Sequence, residues 1–151
     1  MELRNAGCPT SGVTDDRTER RRGRGIDSGR LAVIGQSNGG GAVNLVVTAT
    51  GRFRAAVASA GMSDLVSFFG QLWMDSRAQA YTAETTVVAA RGEATWEGDG
   101  LMRDSPVRRL DRVTTPLLLV ASRDDTVVGF GQTAEMFTGL NYLGKDVTLL
   151  A

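Results

Sequence analysis

Histidine is missing from all 151 residues. A mechanism that needs an imidazole as base, acid or metal ligand therefore cannot be completed by this chain alone. Cysteine is nearly missing: Cys8 stands by itself, which excludes a disulfide framework. Without His or Cys clusters no metal site is expected, and nothing implies a cofactor. Lys145 is the sole lysine among 17 basic residues, a skew toward arginine more in keeping with the base composition of a genome than with a protein's design. The 17 basic and 17 acidic residues cancel, so there is no global pull toward nucleic acid or an anionic membrane. No apolar run reaches the length of a membrane-spanning helix. The start has no apolar stretch of the kind a secretory signal carries. A cytoplasmic protein with no membrane partner is the expectation.

What is present suits a globular domain. Apolar residues make up 42% and charged residues 23%, and the length is enough for one domain with a core. Residues 1–28 differ from the rest. They are Gly-rich and Arg-rich, with Arg20-Arg21-Arg22-Gly23-Arg24 and no hydrophobic period, and are expected to be disordered or poorly packed. Asp15, Asp16, Glu19 and Asp27 dilute the charge, so a solvated tail is expected rather than a nucleic-acid arm. Cys8 lies in this tail, where a catalytic thiol has no support.

Residues 29–151 read as an α/β unit. Leu31-Ala32-Val33-Ile34, ending at Gly35, predicts a strand buried on both faces of a parallel sheet. Residues 39–50 carry Ala42, Val43, Leu45, Val46 and Ala49 at helical spacing, with Gly51 as a stop signal. Ala55-Ala56-Val57-Ala58-Ser59-Ala60 predicts a second buried strand before Gly61. Residues 65–72 suggest a helix and residues 89–100 a loop. Residues 113–121 are the clearest strand, with Pro116 at its start and Leu117-Leu118-Leu119-Val120 at its centre. Residues 132–143 predict a helix with Ala134, Phe137, Leu140 and Leu143 inward and Gly144 as stop. Val147-Thr148-Leu149-Leu150 opens another strand. This order predicts a mostly parallel sheet of about four strands with flanking helices. An unpaired sheet edge would favour self-association.

Gly35-Gln36-Ser37-Asn38-Gly39 fits G-x-S-x-G between a predicted strand and a predicted helix. A serine on so sharp a turn is pushed out above the sheet, and the glycines leave room where the backbone folds back. The Asn38 N–H lies at a helix start, where it can donate to a developing oxyanion. A plain Gly-rich turn or a phosphate-binding loop would share this pattern. Asp124 and Asp125 follow the strand that runs to Ala121, where the acid of a hydrolase triad sits, although a turn-forming or helix-capping Asp would sit there too.

These segments together resemble the prolyl oligopeptidase family of serine peptidases. Gly35-Gln36-Ser37-Asn38-Gly39-Gly40 is similar to its nucleophile turn. Arg52 to Val57, Ser63 to Phe68, Asp104-Ser105-Pro106-Val107 and Thr114-Thr115-Pro116-Leu117-Leu118-Leu119 follow in register. Asp124-Asp125-Thr126-Val127 resembles the family's D-[DG]-x-V. The resemblance covers residues 27–150. It implies a partial α/β-hydrolase domain with a peptide substrate, Ser37 as nucleophile and Asp124 as the acid that orients a histidine. It also implies Asn38 as an oxyanion donor, and Val127, Thr126 and Trp73 near the substrate. Thr126 stands where relatives often use Arg or Asn.

The departures are as informative. In the family a histidine follows the aspartate beyond the last strand, and none of the residues after Asp124 is histidine. The upstream strands, the second oxyanion donor and the family's β-propeller have no counterpart here. An inactive fragment is therefore expected. A non-catalytic pseudohydrolase or binding protein, a gene fragment, and an esterase for small acyl esters are the alternatives. A patatin-like Ser–Asp dyad, which dispenses with histidine, would use D-G-[GA]. Asp99-Gly100 supplies two letters and Leu101 breaks the third.

Overall fold

The computed structural model describes residues 27–70 and 99–151. Trp73, Cys8 and nearly all of the expected tail fall outside the described residues, as do most of the loop expected at 89–100 and the end of the helix expected at 65–72. The elements are β1 (Ala32–Gln36), α1 (Asn38–Ala49), β2 (Ala55–Ser59), α2 (Leu65–Phe69), α3 (Gly100–Asp104), a 3-10 segment (Pro106–Arg112), β3 (Leu117–Val120), α4 (Phe130–Tyr142) and β4 (Val147–Leu150). The four strands pair in parallel in the order β1-β2-β3-β4. This is the α/β architecture expected from the sequence.

The register shows how the core is built. Val33, Ala56, Leu117 and Val147 lie side by side across the sheet, as do Gly35, Ala58, Leu119 and Leu149. Because strand side chains alternate in direction, these two rows share one face. Val43 and Val47 of α1, Leu110 of the 3-10 segment, and Met136 and Leu140 of α4 pack onto that face. A second cluster joins Met62, Phe68, Phe69, Leu101 and Val128 beyond the carboxyl ends of β2 and β3.

The opposite face carries Ile34, Val57, Leu118 and Thr148 in one row and Gln36, Ser59, Val120 and Leu150 in the next. Here the expectation for β1 is corrected. It is not buried on both faces: Ile34 is 79% exposed, as is Leu150 of β4 at 61% on the same face, because the helices of the main core pack on the other face. A continuous apolar run signals a two-sided parallel strand only where both faces are covered.

As expected, α1 stops before Gly51: it runs to Ala49 and Thr50 caps it with extended backbone (φ −151°). Gly51 is not itself left-handed; it lies where a Cβ would come within 2.6 Å of the Thr114 hydroxyl. Gly144 does adopt a left-handed φ of 65°, and the Lys145 N–H returns to the Leu140 carbonyl. The inward face of α4 is also rotated from the expected one. Gln132, Thr133, Met136 and Leu140 are buried, whereas Leu143 is exposed. Gln132 goes inward because hydrogen bonds satisfy its amide, which a hydrophobic period cannot register.

Truncating the covered face should cost far more than changing the open one. Leu119→Ala should lose about 2–5 kcal/mol, whereas Ile34→Thr should stay within about 0.5 kcal/mol. Urea denaturation of the two variants checks this.

Candidate active site

Strand β1 ends at Gln36 and α1 starts at Asn38, so Ser37 alone makes the connection. That reversal places Ser37 at φ 55°, ψ −121°, a backbone region costing a non-glycine residue roughly 1–3 kcal/mol. Two backbone hydrogen bonds hold it there. The Ser37 N–H donates to the Ser59 carbonyl of β2 at 2.9 Å, and the Ser37 carbonyl accepts the Gly41 N–H at 3.0 Å. The side chain is exposed and caps no amide of α1, so its hydroxyl is not used in holding the turn. The Asn38 N–H belongs to the first turn of α1, where no preceding helical carbonyl is available to accept it.

The glycines divide the steric work differently from the sequence reading. A Cβ on Gly35 would run into the Gly39 carbonyl, and one on Gly40 into the Ser59 carbonyl, while one on Gly39 would meet nothing within 4 Å. Gly61 completes the contact: its Cβ would lie 2.5 Å from the Gly40 carbonyl carbon. Gly35 and Gly40 allow the fold-back, and the second glycine of the pentapeptide does not.

The other candidates follow β3. Strands β1 and β3 are separated by β2, so their carboxyl ends lie about 10 Å apart at the usual strand spacing. Asp124 is exposed, and its carboxylate has no hydrogen-bond or ion-pair partner among the described residues. Its N–H donates to the Ser122 hydroxyl at 3.2 Å. Asp125 is committed instead. One of its carboxylate oxygens accepts the N–H groups of Val127 at 2.8 Å and Val128 at 2.9 Å. The turn-forming aspartate foreseen as an alternative is therefore Asp125, which leaves the Asp124 carboxylate open. Thr126 is exposed, as is Val127 at 55%, while Val128 anchors the loop in the second cluster. The Arg123 guanidinium lies 5.7 Å from the Phe130 ring centroid, a cation–π contact no motif announces. Trp73 lies outside the described residues.

Asp99, the acid of the dyad alternative, precedes α3 and pairs with Arg103 at 3.1 Å. Among the described residues no cluster of His, Cys, Asp and Glu could hold a metal ion, and no helix is long and apolar enough to cross a membrane. Sequence reasoning missed the buried polar residues Asn44, Ser63 and Gln132, which lie behind these loops. Close to them, the Glu135 carboxyl has its pKa raised by burial. The Ser67 hydrogen bond opposes that rise and nearby Asp64 adds to it.

The sequence matches the prolyl oligopeptidase family over residues 20–151. It is 31% identical over 130 residues to the peptidase YuxL of Bacillus subtilis, a match covering 83% of this chain and 18% of that protein. The fold superimposes on Pyrococcus horikoshii acylaminoacyl peptidase with a TM-score of 0.75 at 22% identity, covering 89% of this chain and 21% of that one. It also superimposes on a Mycobacterium tuberculosis puromycin-hydrolyzing peptidase, with a TM-score of 0.74 at 28% identity, covering 88% and 19%. The chain thus spans about a fifth of the length of the relatives it matches.

Two substitution pairs test these assignments by chemical denaturation. Gly40→Ala should cost about 1–3 kcal/mol or more from overpacking, whereas Gly39→Ala should be neutral or gain up to about 1 kcal/mol as a helix position. Asp125→Ala should cost about 1 kcal/mol through the lost turn bonds, while Asp124→Ala should change stability by less than about 0.5 kcal/mol.

Proposed function

The chain belongs to the prolyl oligopeptidase family, and on that premise we propose that it carries the nucleophile, the histidine-orienting acid and one oxyanion donor of a serine peptidase site. The observation that carries the proposal is the one-residue turn at Ser37, with its hydroxyl exposed and uncapped. In this reading Ser37 Oγ attacks a peptide carbonyl to give a tetrahedral intermediate whose oxyanion the Asn38 N–H stabilises. Its collapse breaks the C–N bond, expels the amine and leaves the acyl-enzyme, the serine proton passing to the amine through an imidazole. Water then attacks the acyl group and frees Ser37. The open carboxylate of Asp124 suits a group that holds an imidazolium, because it is not used in the turn. Thr126 and Val127 would border the substrate, with Trp73 a further candidate. The relatives are described as an acylaminoacyl peptidase and a puromycin-hydrolyzing peptidase, which supports an amide substrate over a small ester.

The imidazole must come from outside these 151 residues. Asp124 cannot replace it, since the acid of a triad holds the histidine and does not reach the serine proton. Loss of that histidine costs a subtilisin-type triad roughly 10⁶ in kcat. The 151-residue chain alone should therefore show no measurable hydrolysis of peptide anilides and no reaction of Ser37 with a fluorophosphonate probe. Stoichiometric labelling that disappears in Ser37→Ala would overturn the expected inactivity of the chain alone, while leaving Ser37 as the nucleophile. The open sheet edge and face would also let the isolated chain self-associate.

A further inference from the structure

Residues 59 to 64 run behind both candidate loops, and consecutive residues bond to different owners. The Ser59 carbonyl takes the Ser37 N–H. Gly61 abuts Gly40 at the start of α1. The Met62 carbonyl accepts a hydrogen bond from the Asn44 side-chain Nδ2 at 3.0 Å, again on α1. Ser63 and Asp64 then turn to α4. Both their N–H groups donate to Gln132 Oε1 at 3.0 Å, and the Ser63 hydroxyl donates to the Gln132 carbonyl. Gln132 Nε2 donates to Ser67 Oγ at 2.7 Å. Gln132 and Ser63 are fully buried, and Asn44 is 1% exposed.

We propose that Met62, Ser63 and Asp64 form a strut that sets the distance between the Ser37 turn and the loop holding Asp124 to Val127, and that Asn44 and Gln132 are the positioning residues that clamp it. The inference rests on the reading that these two loops work on one substrate. Asn44 sits on the helix that follows Ser37, and Gln132 sits in the first turn of the helix that ends the Asp124 loop. From Asp125 onward that loop is bonded continuously. Asp125 holds Val127 and Val128, and the Gln132 N–H returns to the Gly129 carbonyl. A displacement of Gln132 would therefore carry the loop with it.

Packing does not account for these two amides. A Leu or Met would fill either place but leave the Met62 carbonyl, or the Ser63 and Asp64 N–H groups, without a side-chain partner. Asn44 leaves its Oδ1 buried with no partner, a standing cost that its bond to Met62 does not remove. What an amide adds is direction: a fixed donor or acceptor angle at a fixed length. Between them the two carboxamides join the helix after the nucleophile turn to the helix after the acid loop through three consecutive backbone residues.

The test reads distance and needs no turnover. Nitroxide labels go on Gly39→Cys, where a Cβ meets open space, and on exposed Val127→Cys, in a Cys8→Ser background. A control pair at Ile34→Cys and Thr148→Cys spans the outer face of the sheet. Gln132→Met and Asn44→Leu should each broaden the 39–127 distance distribution at least twofold, with the 34–148 control unchanged. Gln132→Glu, which keeps the acceptor for both N–H groups, should broaden it less than Gln132→Met. Unchanged 39–127 width in the Met and Leu variants, with only a lower melting temperature, would make these residues structural and overturn the proposal. If Gln132→Met does not fold, Asn44→Leu and Ser67→Ala are read by the same criterion, and unchanged width in both overturns it. The widths do not depend on Ser37 chemistry, so failure of the strut and failure of the peptidase reading are separate results.

Discussion

The described fold depends on two backbones approaching more closely than any side chain permits. At Gly40 and Gly61, α1 and the exit of β2 touch without a Cβ between them. That contact lets α1 leave the sheet directly after a single connecting residue, and the Ser59 carbonyl then accepts the Ser37 N–H. The strained conformation of Ser37 is the local consequence. It persists because the sheet bond on one side and the helix bond on the other leave the chain no easier route.

Parallel pairing does the rest. Every strand delivers its carboxyl end to the same rim, so the turn after β1 and the loop after β3 face one region although many residues separate them. The strand between them supplies more than spacing. Its exit segment bonds to α1 through Asn44 and to α4 through Gln132. The helices behind the sheet and the loops above it are thus one bonded assembly.

Much of this was legible in the sequence, for reasons that can be named. Leu117-Leu118-Leu119-Val120 is a short apolar run bounded by Pro116 and a polar stretch, and it is β3. Gly144 marks the end of α4 because a left-handed residue is needed there. Ser37 was visible because the pentapeptide sits between a strand signal and a helix signal. Other features left no such trace. Ile34 lies in an apolar run, yet whether its face is covered depends on elements far along the chain. Gln132 is polar and buried, so hydrophobic periodicity gives no sign that it points inward. Asp124 and Asp125 are chemically identical, and only the backbone geometry beyond them commits one carboxylate and frees the other. The 3-10 segment at Pro106–Arg112 has no helical period to find, since it is kinked at Arg109.

Ser37, Asn38, Asp124, Thr126 and Val127 are all exposed, and none belongs to either apolar cluster. The energy that keeps the chain folded resides in other residues, such as Leu119, Met136 and Leu140. The reactivity proposed for the rim and the foldedness of the chain would therefore reside in separate sets of positions. Drift at the rim can retune or silence the chemistry while the scaffold persists, so a lineage can lose a reaction and keep its shape, or acquire a new reaction on the old one.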